Sequence, residues 1–155
     1  MKRLIVAVVL VCIGGVAASA AEMSGSGQNM FVPKILESFQ LPNGTMANRT
    51  LLNGFMTSDD PASPLALTSM TCSGVTIVDK EGARLSGGGT CDSVDTDGDV
   101  AFLWWKSKGT AGKWGFLGGT GKWEDVEGGG TYELNAYVWA DGRFGNNWKG
   151  TWTMK

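Results

Sequence analysis

Tryptophan is the residue type in this chain whose grouping first suggests chemistry. All seven lie in one stretch: Trp104, Trp105, Trp114, Trp123, Trp139, Trp148 and Trp152. Indole faces stack on planar or sugar-like ligands and attract cations, and an incompletely filled barrel holds one small molecule. Packing is the competing use. The chain has 24 glycines, which offer no side chain to a core. A few very large residues must then supply the volume, each contributing roughly 2–3 kcal/mol when buried. Histidine is absent altogether. Its absence removes Ser-His-Asp and Cys-His nucleophile systems, the usual zinc sites and imidazole general-base catalysis.

Acidic side chains are the other candidates. Asp95-Thr96-Asp97-Gly98-Asp99 invites a calcium reading, but an EF-hand register from Asp95 needs Gly at position 100 and Glu at 106, where Val100 and Lys106 stand. A solvated hairpin turn is the simpler expectation, with weak cation binding at Asp95, Asp97 and Asp99 as its alternative. Asp59-Asp60 and Glu124-Asp125 are sequence neighbours. On strands they face opposite ways, so neither forms the facing pair that glycoside hydrolysis requires. No catalytic residue, metal ligand or cofactor is assigned, and the balance leans away from an enzyme.

Lys2 and Arg3 precede an apolar run, Leu4 to Val16, and then Ala18-Ser19-Ala20. That is the pattern of a cleaved export signal over residues 1–20; an apolar run of about 13 residues falls short of the roughly 20 needed to span a bilayer. Without Lys2 and Arg3, 11 basic side chains face 15 acidic ones, a net charge near −4. No basic run points to nucleic acid, and none to stable membrane association after cleavage. Cys12 leaves with the signal. Cys72 and Cys91 remain, an even pair in a chain sent to a secreted or periplasmic compartment, and a structural disulfide is expected.

The elements that must position these residues read as strands. All four prolines lie before residue 65, leaving a glycine-punctuated, proline-free remainder suited to antiparallel strands and tight turns. Val100, Phe102 and Trp104 share one strand face and Ala101, Leu103 and Trp105 the other. Tyr137 and Trp139 share a face, opposite Leu134, Ala136 and Val138. Trp148, Gly150, Trp152 and Met154 alternate with Lys149, Thr151 and Thr153, a dry side against a wet one. Strands are expected near 48–57, 66–73, 75–79, 83–91, 99–106, 113–118, 131–140 and 146–154. Residues 21–30 read as a flexible Gly/Ser-rich lead-in, and Phe31 to Leu41 stays ambiguous between strand and short helix. The expected fold is an all-β domain over 31–155, a closed antiparallel eight-stranded barrel, with a β-sandwich as the alternative. The candidate cavity set is Phe102, Trp104, Tyr137, Trp139, Trp148 and Trp152.

Gly118-Gly119-Thr120-Gly121-Lys122-Trp123 has the wrong spacing for a phosphate loop, since Phe116 and Trp123 stand where Gly and Ser/Thr belong. The string from Gly118 to Tyr132 instead resembles the strand-turn-strand signature of allene oxide cyclase-like and dirigent-like barrels. Gly118, Gly119, Thr120, Gly121, Trp123 and Gly128 occupy its positions. The resemblance implies an eight-stranded barrel with a central cavity, often trimeric, that holds a reactive lipid or phenolic ligand. It carries no active-site motif onto this chain. The expected role is non-catalytic binding of a small apolar or aromatic molecule. The alternatives are an isomerase or cyclase acting on a lipid or phenolic ligand, and a carbohydrate-binding module using exposed tryptophans.

Overall fold

The computed structural model describes residues 21–154, apart from the side chains at 21 and 135–137. The expected export signal lies outside the described residues. Eight strands follow one another: β1 (Ala21–Gln40), β2 (Met46–Ser58), β3 (Leu67–Val78), β4 (Arg84–Asp95), β5 (Val100–Lys108), β6 (Ala111–Gly119), β7 (Glu127–Val138) and β8 (Phe144–Met154). Each pairs antiparallel with the next, and β8 returns to β1, from Ala21 opposite Met154 to Phe31 opposite Phe144. The sheet is a closed barrel, as expected, and not a sandwich.

Two segments differ from the sequence expectation. Residues 21–30 are not a flexible lead-in but the first half of β1, and Phe31–Gln40 continues that strand without helix. The polar, glycine-rich lead-in pairs where Gly25 faces large side chains and Gly27 the β2 backbone. A Cβ on Gly25 would meet the Trp152 ring at 3.0 Å and the Trp148 ring at 3.6 Å. The second difference is β3, one strand where two short ones were expected. Gly74 does not break it. A Cβ there would lie 2.6 Å from the Trp105 indole, so glycine leaves room for a cross-barrel ring rather than a turn.

Glycine and indole divide the interior by this rule. In one inward row, Trp105 opposes Trp114, which opposes Gly130, then Gly150 and Gly25. The Trp114 ring lies 2.6 Å from where a Gly150 Cβ would stand. Trp114 meets Trp148 edge-on at 5.9 Å between ring centroids, and Phe116 stacks on Trp123 at 5.7 Å. Offset and edge-on aromatic contacts of this kind add to the burial of the rings themselves.

One barrel end is closed. The β2–β3 loop buries Leu65, and a single 3-10 turn, Gly121–Trp123, buries Trp123 completely. Asp95, at the end of β4, ties this lid together. Its carboxylate accepts hydrogen bonds from the Trp123 indole (2.8 Å) and the Asp97 and Asp99 amides, and pairs with Lys122 Nζ at 3.0 Å. Lys122 also pairs with Asp97. The cation beside Asp95 and Asp97 is therefore a side chain of the chain itself. Among the described residues no group of three or more potential ligands could hold a metal ion. Gly121 and Gly128 adopt φ of 53° and 128°, turning the chain into and out of this lid in conformations side chains disfavour.

Candidate functional site

The other end is ringed by the hairpin turns β1–β2, β3–β4, β5–β6 and β7–β8. Below it lies a cavity of about 60 Å³ within the barrel, walled mostly by apolar side chains from all eight strands. Alternation along each strand brings them there: Met56, Met70, Leu103, Trp105, Trp114 and Trp148 all point inward. Cys72 and Cys91, directly opposed on β3 and β4 and joined by a disulfide, form part of one wall.

A few polar groups reach this wall. Asn29 Nδ2 donates to Asn146 Oδ1 at 2.9 Å, both residues buried, and Asn29 Oδ1 has no partner. The buried indole N–H groups of Trp105 and Trp114 also lack acceptors. Arg84 lines the cavity from the start of β4, opposite Val78. It makes no ion pair among the described residues, whose salt bridges all use Arg49, Lys122 or Arg143. Burial holds the Arg84 pKa below its usual value, with the nearby Tyr132 hydroxyl opposing this in part. Burial likewise raises the Tyr132 pKa, against smaller opposing effects of Ser107 and Arg84. Among the described residues no Asp or Glu lines the cavity. It is thus a mostly apolar chamber whose wall includes one cation unpaired among the described residues and two tryptophans with unsatisfied indole N–H groups, and an unpaired buried donor is costly to keep.

The residues of the candidate cavity set go to three places. Trp148 and Trp152 point inward, both nearly inaccessible. Trp148 lines the cavity, its indole donating to the Thr57 carbonyl at 3.1 Å, whereas Trp152 packs toward the closed end against Phe116. Phe102 and Trp104 project outward, 41% and 37% exposed. Their strand neighbours Ala101 and Leu103 are the buried ones, so β5 is turned over relative to the expectation. The reason is space: Trp105 finds an inner bed at Gly74, whereas Trp104 lies across Gly115 on the outside, within 2.6 Å of a Cβ built there. Trp104 borders the cavity only as part of the wall. Trp139 is outside, in the β7–β8 turn, where its amide donates to the Arg143 carbonyl. Tyr137 lies outside the described side chains. Sequence reading missed Arg84, Tyr132, Asn29 and Asn146; strand alternation was the available signal, but the bulge between Ile77 and Val78 that turns Arg84 inward leaves no mark in the sequence.

The turn residues behave as a unit. Gly118, Gly119, Thr120 and Gly121 carry the chain from β6 into the lid, Thr120 Oγ1 accepts from the Val100 amide at 2.9 Å, and Trp123 fills the space beneath.

This geometry is that of known barrels. No family model matches the chain, and no curated protein matches it. Among solved structures, the pterocarpan synthase dirigent protein GePTS1 superposes with a TM-score of 0.57 at 12% identity, over 87% of this chain and 89% of that one. The pterocarpan synthase dirigent protein PsPTS1 gives a TM-score of 0.54 at 12% identity, over 88% and 96%. The chain has the eight-stranded barrel fold of dirigent proteins.

Proposed function

We propose that this protein binds a small aromatic acid or phenol in the barrel without transforming it. Arg84 carries the reading: an unpaired cation on the wall of an otherwise apolar chamber is what an anionic oxygen would complete. The spare N–H groups of Trp105 and Trp114 offer further donors to ligand oxygens. The cavity is under half the roughly 150 Å³ that admits benzene, so a bound ring displaces side chains at the mouth. Such a volume gives little support to turnover of a long lipid chain. The role belongs to an exported chain, cleaved after Ala20 and working outside the cytoplasm, a compartment that the Cys72–Cys91 bond supports. Self-association through the barrel exterior is compatible with it.

The test is fluorescence titration of the mature chain with benzoate, phenylpropanoate and their uncharged alcohols. The acids are expected to bind at least about tenfold more tightly than the alcohols, the size of one charge-assisted hydrogen bond. Arg84→Gln is expected to erase the difference. Equal affinity of Arg84→Gln and the parent for benzoate, or no saturable response to any of these compounds, would overturn the proposal.

A further inference from the structure

We propose a second binding surface, on the outside of β5–β8, for an acidic polysaccharide. Cross-strand register places Lys106 beside Lys113, then Thr131, Lys149 and Ser26 in one outward row. Lys108 begins the next row. Like charges directly opposed across strands destabilise a sheet, and strand spacing puts Lys106 and Lys113 only about 5 Å apart. None of these four lysines forms an ion pair among the described residues. Glu133 stands in the Lys108 row, two strands away across Ala111, and Asp59 accepts a hydrogen bond from Ser26. A positive face thus survives on a chain whose overall charge is negative, and an anionic partner would relieve its repulsion.

The row on the other side identifies the partner. Trp104 opposes Gly115, and Gly129, Thr151 and Ser24 follow. The Trp104 ring lies across Gly115, an exposed indole beside a bed of glycine and hydroxyl side chains. A flat aromatic face with neighbouring hydroxyls suits a sugar ring, and lysines in the adjacent row suit its carboxylates. A uronic acid polymer carries both. Nucleic acid, with its much denser charge, fits a net-acidic domain poorly. No basic run announced this face, because its lysines come from β5, β6 and β8.

The mature chain is tested for retention on immobilised polygalacturonate and on neutral dextran. Retention is expected on polygalacturonate alone, weakening roughly tenfold or more between 50 and 200 mM salt, as for several released counterions. Lys106→Glu with Lys149→Glu should abolish it, and Trp104→Ala should weaken it roughly fivefold or more at unchanged circular dichroism. Lys34→Glu, on β1, and Arg84→Gln should leave it intact, which separates this surface from the cavity. Absence of retention, or equal loss on Lys34→Glu, would overturn the proposal. So would binding of oligothymidylate or phosphatidylglycerol vesicles that matches polygalacturonate and survives Trp104→Ala.

Discussion

Gly112→Ala is a sharp probe of the way this barrel is packed. Gly112 is buried on β6, opposite Tyr132, and a Cβ built there would fall inside the Tyr132 ring. The three atoms nearest to that Cβ all belong to the ring. The added methyl must push the ring toward the cavity and Arg84, and overpacking of this kind costs about 1–3 kcal/mol. Loss of glycine's freedom in the unfolded chain returns about 0.4–1 kcal/mol, so the net destabilisation is about 1–2 kcal/mol. Tyr132→Ala alone should cost about 2–4 kcal/mol, less than a fully buried aromatic because Tyr132 is only half-buried. In that background the methyl has room, and Gly112→Ala should turn neutral or stabilising by about 0.5 kcal/mol. The coupling is therefore about 2 kcal/mol, read from urea unfolding followed by circular dichroism with unchanged m-values. Equal destabilisation by Gly112→Ala in both backgrounds would refute the idea that glycine is there to seat a ring.

The remaining predictions concern the lid and the cross-link. Asp95→Asn should lower stability by about 2–4 kcal/mol in urea melts, because one acceptor is lost among donors that stay buried. Burial pushes the Asp95 carboxyl upward, but the Trp123, Lys122, Asp97 and Asp99 hydrogen bonds outweigh it and hold the pKa below the ordinary value. Its contribution is thus complete above the unfolded value of about 3.9 and is lost as pH falls through the lower folded value. Acid titration of stability should accordingly be flatter below pH 4 in Asp95→Asn; an unchanged acid profile would count against this. Cys72→Ser with Cys91→Ser should cost about 3 kcal/mol on the chain-entropy account, and an identical urea midpoint in the double variant would remove the cross-link from the balance.

Much of the architecture was legible in residue order because strand alternation and turn chemistry are local. Asp79, Asp95 and Asp141 each accept an amide two residues ahead in a hairpin turn, the Asx pattern that marks such turns in sequence. Cys72 and Cys91 pair across one rung for the same reason: the β3–β4 hairpin sets their register. β1 was not legible, since Gly25 and Gly27 look like linker until Trp152 and the β2 backbone are seen against them. The site was least legible. Alternation groups Phe102 with Trp104 and Leu103 with Trp105, yet which group faces inward depends on glycines in other strands, Gly74 inside and Gly115 outside. Arg84 reads as one basic residue beside a turn, and only barrel closure makes it the cation of an apolar chamber.

The most direct measurement is a two-dimensional NMR titration of the indole N–H signals with benzoate. A ligand anchored at Arg84 in the cavity should shift the Trp105 and Trp114 resonances along one saturable curve and leave that of the outward Trp139 in place. Movement of Trp139 with Trp105 and Trp114 unchanged would contradict the account, placing the ligand outside the barrel.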